Sequence, residues 1–84
     1  MVKEKVRQFL AANFLHLHPE VELTDSFPLL EKRFLDSMAV MELVAFIEEE
    51  FAITVPETDI VDANLKSLTV ISQYVCARAA LSSP

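Results

Sequence analysis

Apolar residues recur at steps of three and four in three separate stretches, and nothing else in the sequence limits the fold as strongly. Val2, Val6, Phe9, Leu10 and Phe14 form the first stripe, with Lys3, Lys5, Arg7 and Gln8 between them. Val40, Leu43, Val44, Ile47 and Phe51 form the second, and Leu68, Ile71 and Val75 the third. That period lays one face of a helix against a core. Strand-like alternation does not compete with it, although Phe51 to Val55 is short and β-prone. The chain is therefore expected to be all-α: a small four-helix bundle with long helices at about 2–15, 37–51 and 67–80 and a short third helix at about 57–62.

A long first loop separates the first two stripes. In LHLHPEVELTDSFPLLEKRFLD, Pro19 and Pro28 with Thr24, Asp25 and Ser26 interrupt any regular period. A loop longer than about 12–15 residues in a compact fold calls for a function or for anchors. Leu15, Leu17, Val21, Leu23, Phe27, Leu29, Leu30, Phe34 and Leu35 supply anchors across the bundle, with room for a short helical turn.

The helix ends carry local signals. Ser37 stands where the loop gives way to the second helix, at the position expected for an N-cap. Val40 occupies the place where a capping box would have Glu or Gln, so only half of that motif is present. Ala52 follows Phe51 where Gly commonly closes a helix in the left-handed conformation; a β-carbon costs about 1 kcal/mol if that geometry is used, and a different exit from the helix is the alternative. Pro56, Glu57 and Asp59 suit the first turn of the third helix, and Ser67 suits the N-cap of the last.

Composition narrows the class. The 84 residues are 52% hydrophobic, which is globular, and suffice for one domain spanning 1–84. Thirteen acidic against seven basic residues give a net charge of -6, which argues against a nucleic-acid backbone as partner and for a partner with a basic surface. No apolar run approaches the roughly 20 residues of a membrane span, and the N-terminus lacks a signal-peptide core. Cys76 is the only cysteine, so no internal disulfide forms, and the expected compartment is the cytoplasm.

Catalytic and metal-binding constellations are not evident. His16 and His18 form His-x-His beside Pro19 without a cysteine nearby, and loop surface is the default for both. Cys76 has no identifiable base and reads as a small core or boundary residue. No catalytic residue and no metal ligand is assigned. Between Phe34 and Leu65, however, there are eight carboxylates and no Lys or Arg. Met38, Met41, Glu42, Ala45 and Glu48 share one side of the second helix, apart from its core stripe, and make a docking strip.

The run FLDSMAVMELVAFIEEEFAITVP, followed by NLKSLTVISQYV, resembles acyl carrier proteins over nearly the whole chain. The resemblance implies that Ser37, in Asp36-Ser37-Met38, receives 4'-phosphopantetheine from coenzyme A, with Asp36 and Met38 completing the motif read by a phosphopantetheinyl transferase. It further implies a monomeric carrier, not an enzyme, that holds an acyl or aminoacyl group as a thioester. Met41, Glu42, Ala45, Glu48 and Glu49 would dock basic patches on a loading ligase or acyltransferase and on downstream synthase or tailoring enzymes. A helix start suits the phosphodiester, because its amides are unpaired and its dipole is positive.

Two departures bear on the subtype. Ala39 stands where many fatty-acid carriers have an acidic residue, and the Gly that often precedes the motif is absent from EKRFLDS. The Leu-Asp-Ser-Met form looks closer to discrete carriers of specialised-metabolite pathways and to D-alanyl carrier proteins. A peptidyl or aminoacyl carrier is the nearest alternative. A helical protein-interaction domain, in which Ser37 only caps and is never modified, is the alternative of another class.

Overall fold

The computed structural model describes residues 2–82. Helix α1 spans Val2–Phe14 and runs into a 3-10 turn at Leu15–Leu17, α2 spans Ser37–Phe51, a second 3-10 turn lies at Glu57–Asp59, α3 spans Asp62–Leu65 and α4 spans Leu68–Ser82. The described residues contain no strand. The architecture is the all-α bundle expected, with three long helices, a short third helix and a long first loop.

Each stripe faces the core, with Val2, Phe9, Val40 and Phe51 only partly buried at its margins. Val6, Leu10 and Phe14 of α1 meet Leu43, Val44 and Ile47 of α2 and Leu68, Ile71 and Val75 of α4 in one core. Full burial of such a side chain contributes about 1.5–3 kcal/mol, so the periodic positions carry the fold. Ile53 and Val55 are buried as well, which makes the β-prone stretch after α2 an inserted core strap, not a strand.

The long loop is packed down at Leu23, Leu29, Phe34 and Leu35. Two backbone bonds join it to the start of α4: the Leu29 amide donates to the Lys66 carbonyl (2.8 Å) and the Thr69 amide to the Asp25 carbonyl (3.1 Å). From α1, the Arg7 guanidinium donates to the Leu23 carbonyl and the Asp25 carboxylate, and Lys3 adds an ion pair to Asp25 at 3.2 Å. Arg7 first, then Lys3, hold the Asp25 carboxyl below the usual carboxylate range.

Before the second helix the loop winds once and stops. The Lys32 amide donates to the Pro28 carbonyl, Arg33 to Leu30 and Phe34 to Leu29, at 3.0, 3.1 and 2.9 Å. The last two bonds are the paired closure of a Schellman motif, whose left-handed residue is usually Gly. In this protein it is Arg33, with φ of 59°. Ala52 closes α2 in the same left-handed region at φ 55°, so the usual glycine geometry is kept at the cost of a β-carbon.

Helix three differs from its expected span of 57–62. The turn that Pro56 opens closes at once, because the Ile60 amide donates to the Glu57 carbonyl and Ile60 then leaves helical geometry. Val61 is extended, at φ −134° and ψ 159°, and α3 begins only at Asp62. Two adjacent β-branched residues favour such an extended break. Tyr74 of α4 donates to the Asp59 carboxylate at 2.6 Å, and burial followed by this bond pushes its phenol up to about 12. Ser67 caps α4 as expected, its hydroxyl accepting from the Val70 amide at 3.3 Å.

Candidate functional site

The site is built around the start of α2. Phe34 and Leu35 are buried at 2% and 3% exposure, so the chain reaches the helix from a fixed anchor and turns outward at Asp36. Asp36 is extended, and its Oδ1 accepts from the Ala39 amide at 2.8 Å. Its carbonyl accepts the first helical bond, from Val40, at 2.9 Å. The N-cap is therefore Asp36, not Ser37 as its place at the boundary suggested. A carboxylate is a stronger acceptor than a hydroxyl at the positive end of the helix, and the anchored pair Phe34-Leu35 sets the register.

That shift of one residue changes what Ser37 is free to do. Ser37 is the first residue of α2 and is exposed. Among the described residues its hydroxyl has no hydrogen-bond partner, and the amides of Ser37 and Met38 have no acceptor. A serine that is not spent on capping points a free primary hydroxyl into water, beside two unpaired donors and a positive dipole end.

Open space lies on both sides. One cleft, about 590 Å³, is lined by Leu30, Arg33, Leu35 and Asp36 before α2, by Ser37, Val40 and Met41 of α2, and by Ile60, Val61, Asp62 and Leu65 at α3. A second, about 500 Å³, lies along α2 between Ser37, Met38, Met41, Glu42 and Ala45. Four of the residues expected in the docking strip thus meet beside Ser37, and Met38 is 78% exposed.

The other two carboxylates expected to dock partners are placed elsewhere. Glu48 is half-buried and accepts from the Val55 amide at 2.9 Å, which ties the end of α2 to the segment beyond it. Glu49 faces the groove toward α1 with Glu42, Ala45, Phe9 and Phe46, where the last two rings stack at 4.3 Å. Val61, 45% exposed on the rim of the α3 cleft, is a residue the sequence reading missed. Its extended backbone is what turns it out, and helical periodicity gives no signal for that.

The residues set aside for other chemistry remain dispersed. His18 packs against the Phe34 ring at 5.0 Å, and no group of three metal-ligating residues occurs among the described residues. Cys76 is exposed on α4, not in the core or at its boundary, because the buried face of that helix is completed by Ile71 and Val75. No described helix is long and apolar enough to cross a membrane.

What this arrangement offers is a place to attach something: an accessible hydroxyl at a helix start, with room on either side. That is how a carrier is organised. The family model for the phosphopantetheine attachment site matches residues 4–75, and the chain belongs to that family. Its cofactor is covalently attached 4'-phosphopantetheine, and its partners are a phosphopantetheinyl transferase and the enzymes that act on what the arm carries. No curated protein sequence matches the chain. The helix start fits the group chemically, since a primary hydroxyl is the kind of oxygen a phosphodiester needs and free amides with a positive dipole end favour its charge.

Proposed function

We propose that Ser37 bears the arm and that this protein is a discrete acyl carrier whose helix α2 presents the cargo to partner enzymes. The observation that carries this reading is the division of labour at the helix start. Asp36 takes the cap, and Ser37 keeps an unengaged hydroxyl next to unpaired amides. When bound, the arm supplies a terminal thiol that holds an acyl or aminoacyl group as a thioester. The chain supplies no catalytic centre of its own: it fixes the attachment oxygen, complements the phosphate charge and displays a recognition face.

On this reading Met38, Met41, Glu42 and Ala45 form the contact surface beside the arm, Asp36 and Met38 are read by the transferase, and Glu49 adds charge on the α1 side. Partners meet them with basic patches around an apolar centre. Glu48 contributes field more than contact, since it is held by Val55. A dedicated ligase or acyltransferase loads the arm in a specialised-metabolite pathway. Ala39 and the form Leu35-Asp36-Ser37-Met38 support that assignment over general fatty-acid synthesis; a D-alanyl carrier shares that form, and a peptidyl carrier shares the fold and arm, with Leu35-Asp36 leaning toward the acyl reading. The lone exposed thiol of Cys76 agrees with a reducing, cytoplasmic setting.

The test is intact mass before and after incubation with coenzyme A, magnesium and a broad-specificity phosphopantetheinyl transferase, beside Ser37→Ala. Wild type gains one phosphopantetheine and the variant none. A folded, unmodified wild type that gains nothing with several transferases would make the unmodified interaction domain the better reading.

A further inference from the structure

We infer that Arg33 is the counter-charge that binds the phosphate of the arm, a contact that rests on Ser37 being the attachment point. From Leu35 to Asn64 the chain holds eight carboxylates and not one Lys or Arg, so an added phosphodiester enters a field that repels it. Arg33 stands just outside that stretch and lines the same cleft as Asp36 and Ser37. It is the one cation lining either cleft that borders Ser37.

Arg33 is also uncommitted. Among the described residues Lys3, Lys5, Arg7 and Arg78 each hold a carboxylate or a carbonyl, whereas the side chains of Lys32, Arg33 and Lys66 have no hydrogen bond and no ion pair, and of these three only Arg33 lines a cleft that borders Ser37. Of the two carboxylates nearest in sequence, Glu31 makes no ion pair with it and Asp36 is engaged by the Ala39 amide. Nor does the backbone explain an arginine here: φ of 59° suits Gly best, and any β-carbon is a cost. The Schellman bonds of Arg33 and Phe34 fix the backbone, which leaves the long side chain as the moving part. A guanidinium presents a planar fork of donors that matches two phosphate oxygens, and it stays charged at any physiological pH.

The preference that follows is directional. Arg33 stands with Asp36 and Asp62 in the α3-side cleft, whereas the Met38 strip holds Glu42 and no cation, so the one counter-charge available draws the phosphate toward the cleft between α2 and α3.

The experiment compares wild type with Arg33→Gln, which keeps the β-carbon and much of the length, each before and after conversion by the transferase. Tandem mass spectrometry places the arm, phosphorus NMR reads its phosphodiester, and nitrogen-15 spectra read the Arg33 Nε–H. The expected result is a shift and slowed water exchange of the Arg33 Nε–H on conversion, and a phosphorus resonance displaced from that of Arg33→Gln. The displacement should shrink at about 1 M salt, where screening reaches within roughly 3 Å. An arm on Ser37 with both resonances indifferent to Arg33 overturns this inference and leaves the carrier reading intact. An arm placed elsewhere overturns both. If Arg33→Gln resists conversion, the wild-type Nε–H decides: unmoved between the two forms, it sinks the contact.

Discussion

The two ends of α2 are finished in opposite ways. At the C-terminal end, Ala52 turns left-handed, Glu48 accepts the Val55 amide, Arg78 donates to the Thr54 carbonyl at 3.1 Å, and Ile53 and Val55 go into the core. At the N-terminal end one side chain, Asp36, caps one amide, while two more amides and the Ser37 hydroxyl remain without partners among the described residues. A helix terminus left open is a cost to folding unless something else is to be bound there. The sealed end holds the helix in place so that the open end is free to be used.

That contrast predicts where substitutions hurt. The largest loss should come from Glu48→Ala, which removes a charge-assisted bond and leaves the Val55 amide unpaired, at about 1–3 kcal/mol by denaturant unfolding. Glu42→Lys, on the exposed face, should stay within about 0.5 kcal/mol while slowing transfer to partners. Equal stability of the Glu48 and Glu42 variants would show that the C-terminal end is not sealed as described.

At the open end, Asp36→Ala should cost about 0.5–2 kcal/mol as a lost cap, whereas Ser37→Ala stays within about 0.5 kcal/mol. The reverse ranking would return the cap to Ser37 and remove the argument that its hydroxyl is free. A smaller effect of opposite sign belongs to Ala52→Gly. Relief of the left-handed strain, less the added entropy of the unfolded chain, should raise stability by a few tenths to about 1 kcal/mol, read as an upward shift of the melting temperature. A loss would mean that the Ala52 methyl is held by contacts.

The smallest effect lies away from α2, at Asp25. Its carboxyl is held low by Arg7 and Lys3, so the stability it adds is present above its unfolded value near pH 4 and is lost as the pH falls through the lower folded value. An acid titration of wild type should therefore fall more steeply below about pH 4 than one of Asp25→Asn. The difference is slight because the pair is exposed to solvent. Parallel curves would mean that Arg7 does not hold the loop.

The helices were legible in the sequence because burial on one face leaves a period, as at Leu43, Val44 and Ile47. Local chemistry read equally well where one residue decides, as with Ser67. What escaped was set by neighbours that no period links. The cap passed from Ser37 to Asp36 because buried Phe34 and Leu35 fix the approach. The bond from Glu48 spans seven residues around a turn, and the third helix moved because Ile60 and Val61 leave helical geometry together. Residues at 36–38 were recognisable as a motif, while the free cation beside them shows only once the turn through Arg33 is folded.

The bonds from Leu29 to Lys66 and from Thr69 to Asp25 cross between the first loop and the residues flanking Ser67. These two bonds couple the loop to the first turn of α4, and the pair is expected to open as one unit of local unfolding. The Leu29 and Thr69 amides, 40 positions apart, then open to hydrogen exchange with one free energy. The segment that leads into α2 thereby draws its rigidity from the far end of the chain, and loosening α4 loosens the aim of the serine.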